Sequence, residues 1–160
     1  MFHIRLGTEV RYYPGICRLE NLKELRIEGT QLLLLEMPMS EWTDYTVREL
    51  LELSSAKGIT LVLAHIERYL PLQRKTVWET LTQNGVLMQV NASFFDGVFA
   101  KRKALALLKR GGVQFIGSDC HGLTTRPPQI GKAFSVIKEK LGNHFLRQMN
   151  EYGQHLLAKK

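Results

Sequence analysis

The sequence predicts an α/β fold with parallel strands, and three observations carry that prediction. Short apolar, strand-like runs alternate with segments of helical period, the connections between them are short, and glycines stand where helices should stop. The strand-like runs are "HIRLGTEVRY" (3–12), "QLLLLEM" (31–37), "ITLVLAH" (59–65), "VLMQVNAS" (86–93) and "VQFIGSD" (113–119). Between them lie "LENLKELRI" (19–27), "WTDYTVRELLELSSAKG" (42–58), "RKTVWETLTQNG" (74–85), "FAKRKALALLKRGG" (99–112) and "PQIGKAFSVIKEKLG" (128–142), with a shorter helical segment after Asn143. Gly58, Gly85, Gly111 and Gly142 close four of these helices. No repeat, low-complexity stretch or linker divides the chain, so residues 1–160 are expected to form a single domain.

Composition agrees with that expectation. A chain of 160 residues that is 44% hydrophobic and 23% charged can bury a sizeable core as one soluble globular domain. Its most apolar stretch, Leu32 to Leu35, is far too short to cross a bilayer, and residues 1–15 lack a signal-peptide pattern. Cys17 and Cys120 form neither a disulfide framework nor a CxxC pair, which fits a reducing compartment, so a cytoplasmic protein is expected. The formal net charge of +7 gathers in "KRKALALLKR", Lys101 to Arg110, and in Lys159 and Lys160. It favours anionic partners, but no aromatic residues interleave with these cations as a nucleic-acid platform requires, so no nucleic-acid partner is expected.

Parallel α/β sheets collect functional groups at the carboxyl ends of their strands, where the loops into the helices are free to vary. Those ends carry Glu9, Glu36, His65, Asn91, and Asp119 with His121. Singly, each has an ordinary explanation as a helix cap, an arginine partner or a packed histidine. Together they form a mixed carboxylate and imidazole set of the kind that Mn, Fe or Zn sites use, and acids directly after "LLLL" and "FIGS" need a cation nearby to offset their desolvation. Arg68, three residues after His65, and Arg126, five after His121, would suit a phosphate group. On the ordinary alternative, Arg68 pairs with Glu67 or another surface acid and Arg126 faces solvent.

Cys120 to Arg126 also spells C-x5-R, the spacing by which thiol-based tyrosine phosphatases cradle phosphate. Such a loop needs free N–H groups and a stabilised thiolate. Here Leu123 replaces the usual glycine, Pro127 and Pro128 remove two donors, and Asp119 opposes thiolate formation beside the sulfur. Cys120 is therefore expected to be a small packing residue in the D-x-H turn.

The motifs "GTEVRY", "LLLLEMP", "LAHIERY", "GVLMQVNASFFDG", "FIGSDCHG" and "TRPP", in this order and spacing, resemble the CpsB/CapC-type bacterial protein-tyrosine phosphatases of the PHP (polymerase and histidinol phosphatase) superfamily. The resemblance covers nearly the whole chain, with Ile66 where the family pattern has proline. It implies a distorted, TIM-like (β/α)7 barrel with up to three metal ions, commonly manganese, with iron or zinc as alternatives. By resemblance, Glu9 would bridge two metals, Glu36 and His65 would complete the second site, Asp119 would serve the first, and His121 the third. Arg68 and Arg126 match the family's phosphate-binding arginines, and Asp119 or His121 would relay a proton to the leaving oxygen. The implied reaction is in-line attack on phosphorus by a water that the ions activate, with no phosphoenzyme. The implied substrate is phosphotyrosine on the tail of a tyrosine autokinase that regulates capsule or exopolysaccharide synthesis.

The family begins with an H-x-H on its first strand, whereas the five histidines here, His3, His65, His121, His144 and His155, form none. The chain is thus expected to hold the C-terminal part of the family domain: a partial barrel of about five parallel strands with the first strands missing, fewer ions, low activity, and edges that invite self-association. Two other readings stay open, a PHP-type hydrolase of a small ester such as histidinol phosphate, and a non-catalytic remnant that binds phosphotyrosine through Arg68 and Arg126.

Overall fold

The computed structural model describes residues 4–158, which form two compact units. His3, at the start of the first expected strand, and the Lys159 and Lys160 tail lie outside the described residues. One unit runs to Leu87 and takes in the chain from His155 onward; the other is Met88–Gln154.

In the first unit, β1 (Glu9–Arg11), β2 (Leu32–Glu36) and β3 (Thr60–Leu63) are parallel and lie in that order. Glu9 stands opposite Leu34, Arg11 opposite Glu36, and Leu35 opposite Leu63. The run of leucines makes β2 a strand for burial on both faces: Leu33 and Leu35 are 0% exposed. Helix α1 (Asp44–Ser55) starts at Thr43, whose side chain accepts from the Thr46 N–H, and buries Leu50 and Leu53. Helix α2 (Lys75–Gln83) buries Val77 and Leu81. Each of these fully buried leucines contributes about 1.5–3 kcal/mol, which is what holds the strand ends in place.

In the second unit, β4 (Leu87–Asn91), which begins at the boundary, runs parallel to β5 (Phe115–Gly117), with Asn91 opposite Gly117. Helix α3 (Val98–Lys109) buries Ala104 and Leu108. Helix α4 (Ile130–Ala158), which belongs to this unit as far as Gln154, is broken at Gly142, whose φ of 89° no other residue type adopts readily. The sequence placed a helix end there and a further helical segment beyond it, and both are present.

Two expected elements differ. The segment 19–27 is not an α-helix but holds a single 3₁₀ turn, Leu22–Leu25, after an earlier one at Ile16–Arg18. Leu22 is its one buried residue, so too little apolar surface is covered to offset the cost of nucleating a helix. The first strand, expected over 3–12, is paired only at Glu9–Arg11. Before it, the Leu6 carbonyl accepts from the Glu28 N–H at 2.7 Å, so the backbone there is tied to the turn that precedes β2 rather than to the ladder.

Candidate active site

The side chains of Glu9, Glu36 and His65 converge at one end of the first unit, with their ligand-type atoms all within 4.8 Å of one another. Glu9 opens β1 rather than closing it, because the strand is shorter than the sequence pattern suggests. Glu36 closes β2, where its carbonyl accepts from the Tyr12 N–H at 2.8 Å and ties the two strands together. His65 follows β3 by two residues. The register that sets Leu35 opposite Leu63 would continue the face of Glu36 through Ala64, so strand alternation alone would turn His65 away. Its left-handed backbone, φ 34° and ψ 52°, breaks the alternation and brings the ring back.

His65 Nε2 lies 3.1 Å from Glu9 Oε1 and 3.4 Å from Glu36 Oε1. The His65 side chain is 2% exposed, whereas both carboxylates reach solvent. Two carboxylates and one imidazole nitrogen form a donor set that fits a divalent Mn, Fe or Zn ion. Arg68 places Nη1 3.7 Å from Glu36 Oε1, so this guanidinium belongs to the cluster and not only to a surface pair. Below the cluster is a residue that the sequence reading missed. Tyr69 is 0% exposed, its hydroxyl sits 3.1 Å from His65 Nδ1 and accepts from the Met37 N–H at 3.2 Å, and burial pushes its pKa well up. Its spacing of four from His65 was the available signal.

The second unit assembles Asp119, His121 and Arg126. Asp119 Oδ1 is 3.2 Å from His121 Nε2 and 3.0 Å from Arg126 Nη2, and Asp119 Oδ2 accepts from Asn91 Nδ2 at 3.0 Å. Asn91 in turn accepts from Gln89 Nε2 at 3.1 Å, so a short polar chain from β4 fixes the Asp119 carboxylate. Asp119 also has a left-handed backbone, φ 49°. Arg126 does not simply face solvent; its Nε additionally donates to the Asp119 carbonyl at 3.3 Å.

Cys120 is exposed, which corrects the expectation that it packs inside the turn. The turn at Asp119 rotates the sulfur outward, where its S–H donates to the Gly122 carbonyl at 3.4 Å. The sulfur thus faces a carbonyl oxygen, whereas a phosphate cradle presents N–H groups. Arg126 is engaged with Asp119, not folded over the thiol.

Residues 1–156 match the family described as "Capsular polysaccharide synthesis, CpsB/CapC". The chain belongs to the CpsB/CapC family. It is 30% identical over 158 residues to the tyrosine-protein phosphatase CpsB of Streptococcus agalactiae, a match that covers 91% of this chain and 64% of that protein. It is 25% identical over 160 residues to the tyrosine-protein phosphatase YwqE of Bacillus subtilis, covering 97% and 63%. The putative tyrosine-protein phosphatase CapC of Staphylococcus aureus is 30% identical over 145 residues, covering 86% and 56%. The chain therefore spans less than two thirds of the length of these relatives. A solved chain from crystal structures of YwqE from Bacillus subtilis and CpsB from Streptococcus pneumoniae, described as unique metal-dependent tyrosine phosphatases, superposes with a TM-score of 0.81 at 23% identity. That match covers 96% of this chain and 64% of the other and establishes a shared fold, so the α/β class is borne out by the fold and the family by the match over residues 1–156. Among the described residues no helix is long and apolar enough to cross a membrane.

Proposed function

We propose that this chain is part of a metal-dependent protein-tyrosine phosphatase in which Glu9, Glu36 and His65 hold a divalent cation, manganese in the first instance. The observation that carries this reading is the convergence of two carboxylates and a buried imidazole nitrogen within 4.8 Å, beside an arginine. When bound there, such an ion supplies positive charge for a phosphoryl oxygen and lowers the pKa of water toward about 7. Arg68, beside Glu36 in the first unit, and Arg126, beside Asp119 in the second, are the two residues proposed to bind phosphate, each exchanging its carboxylate for a more highly charged partner. In the second unit Asp119 and His121 are proposed as further residues of ligand type, and His121, 61% exposed, is the one of this pair proposed to pass a proton to the leaving tyrosine oxygen. The proposed substrate is phosphotyrosine on a tyrosine kinase of capsule or exopolysaccharide synthesis; the family description supports the capsule setting and the names of the relatives support phosphotyrosine in a protein. Two free cysteines support a cytoplasmic setting.

The test is hydrolysis of a phosphotyrosine peptide with added Mn2+, then with a chelator, then with a thiol alkylator. Turnover should require Mn2+, stop with the chelator and survive alkylation. Loss with the alkylator alone would transfer the chemistry to Cys120. Turnover of histidinol phosphate but not of the peptide would assign a different phosphoester, and saturable peptide binding without turnover would leave a recognition role only.

A further inference from the structure

The two nitrogens of His65 meet groups of opposite kind. Nε2 faces Glu9 and Glu36, at 3.1 and 3.4 Å, and ionised carboxylates only accept hydrogen bonds. Nδ1 lies 3.1 Å from the Tyr69 hydroxyl, which can donate as well as accept. A phenol oxygen has two acceptor positions and one proton, and Tyr69 has committed one acceptor position to the Met37 N–H. One acceptor position and the proton remain, and either can serve Nδ1.

While no cation is present, Nε2 must carry a hydrogen to satisfy the carboxylates. In a neutral ring Nδ1 is then bare and accepts from Tyr69. For Nε2 to give its lone pair to a cation, the ring hydrogen must instead sit on Nδ1 and find an acceptor there. We propose that Tyr69 is a positioning residue for the metal centre: its hydroxyl turns from donor to acceptor toward His65 Nδ1 and so holds the tautomer that leaves Nε2 free to bind the ion. This inference rests on reading Glu9, Glu36 and His65 as metal ligands. A backbone carbonyl in the same place would only accept, and His65 would lose that bond in the neutral, ion-free form. A hydroxyl serves both forms, so the ring stays bonded in each and its left-handed backbone stays supported. Because Met37 directly follows Glu36, the same hydroxyl also ties the end of β2 to His65 and sets two of the three ligands against each other.

The experiment compares wild type with Tyr69→Phe by calorimetric titration of Mn2+, checks folding by circular dichroism, and records 15N-histidine spectra of the wild type loaded with diamagnetic Zn2+. The His65 signals are assigned with His65→Gln. Tyr69→Phe should fold like wild type and bind Mn2+ about tenfold or more weakly, the usual cost of losing a partner behind a ligating histidine. Zn2+-loaded wild type should carry the His65 ring proton on Nδ1. Trp42→Phe, which trims a ring packed 5.6 Å from Tyr69 but leaves the hydroxyl, should keep wild-type affinity. Unchanged Mn2+ affinity in folded Tyr69→Phe, or a Zn2+-loaded ring protonated on Nε2, overturns the inference. If Tyr69→Phe does not fold, the wild-type spectrum decides. A wild type that binds no Mn2+ overturns the metal centre itself, and the inference falls with it by a different observation.

Discussion

His65 and Asp119 are the two non-glycine residues with positive φ among the described residues, and both are candidate ligands that the sequence singled out. Left-handed backbone in residues other than glycine costs on the order of 1 kcal/mol and persists where the surroundings hold it. Tyr69 holds one and Asn91 with Arg126 the other. Glu49 is also buried, 2% exposed, and it accepts from the Tyr12 hydroxyl at 2.6 Å, the Gly15 N–H at 2.8 Å and the Cys17 thiol at 3.3 Å. Burial pushes the Glu49 pKa up, but these hydrogen bonds outweigh it and leave the pKa lowered. Its partners move the other way: burial first, then the Glu49 bond, raises Tyr12 to about 12 and Cys17 to about 11. A carboxylate with a lowered folded pKa adds stability that is present above its unfolded pKa and lost as pH falls through the folded one. Glu49→Ala, which strands the buried Tyr12 hydroxyl and the Gly15 N–H, should lose about 3 kcal/mol in urea denaturation at pH 7. Glu49→Gln should flatten the loss of stability that wild type shows on acidification below about pH 4.3. Equal acid sensitivity in the two proteins would show that Glu49 contributes nothing to it.

At the scale of elements, the strands β2 to β5 and the helices α1 to α4 were legible because each pairs an apolar run or stripe with a stop signal. Gly111 after α3 is such a stop, with φ 68° where a side chain would be strained. The 19–27 segment was misread because helical period was present but the buried area was not, and burial is a tertiary quantity. One glycine connects an element to the site. A Cβ on Gly117 in β5 would run into the Gln89 side-chain nitrogen, the atom that donates to Asn91 and through it steadies Asp119. Gly117→Ala should therefore lose about 1–2 kcal/mol from overpacking, and adding Gln89→Ala should restore part of it. Additive losses in a urea double-mutant cycle would show that the two positions do not communicate.

Across the whole molecule the charge is uneven. Of 22 Lys and Arg and 15 acids in the chain, ten and four lie in Met88–Gln154, so this unit carries +6 of the formal +7. None of Arg102, Lys103, Lys109 and Arg110 on or just after α3 makes an ion pair among the described residues, whereas Arg126 is held by Asp119. If the substrate is an anionic phosphopeptide, this field should steer it, and association measured by stopped-flow fluorescence should slow as salt rises from 0.1 to 1 M and the Debye length shrinks from about 10 to about 3 Å. A rate indifferent to salt would assign the excess charge to solvation alone.

The sequence by itself determined the parallel α/β class, the family, and the residue types at the strand ends, because periodicity, glycine stops and motif order are local and survive in one dimension. Tertiary structure decided which of those residues meet. Glu9 opens its strand yet reaches Glu36, His65 breaks strand alternation to join them, Cys120 turns outward, and Tyr69 comes to rest beneath the imidazole. Register, a single left-handed dihedral and the burial of one phenol set those distances, and each depends on packing between segments far apart in the chain.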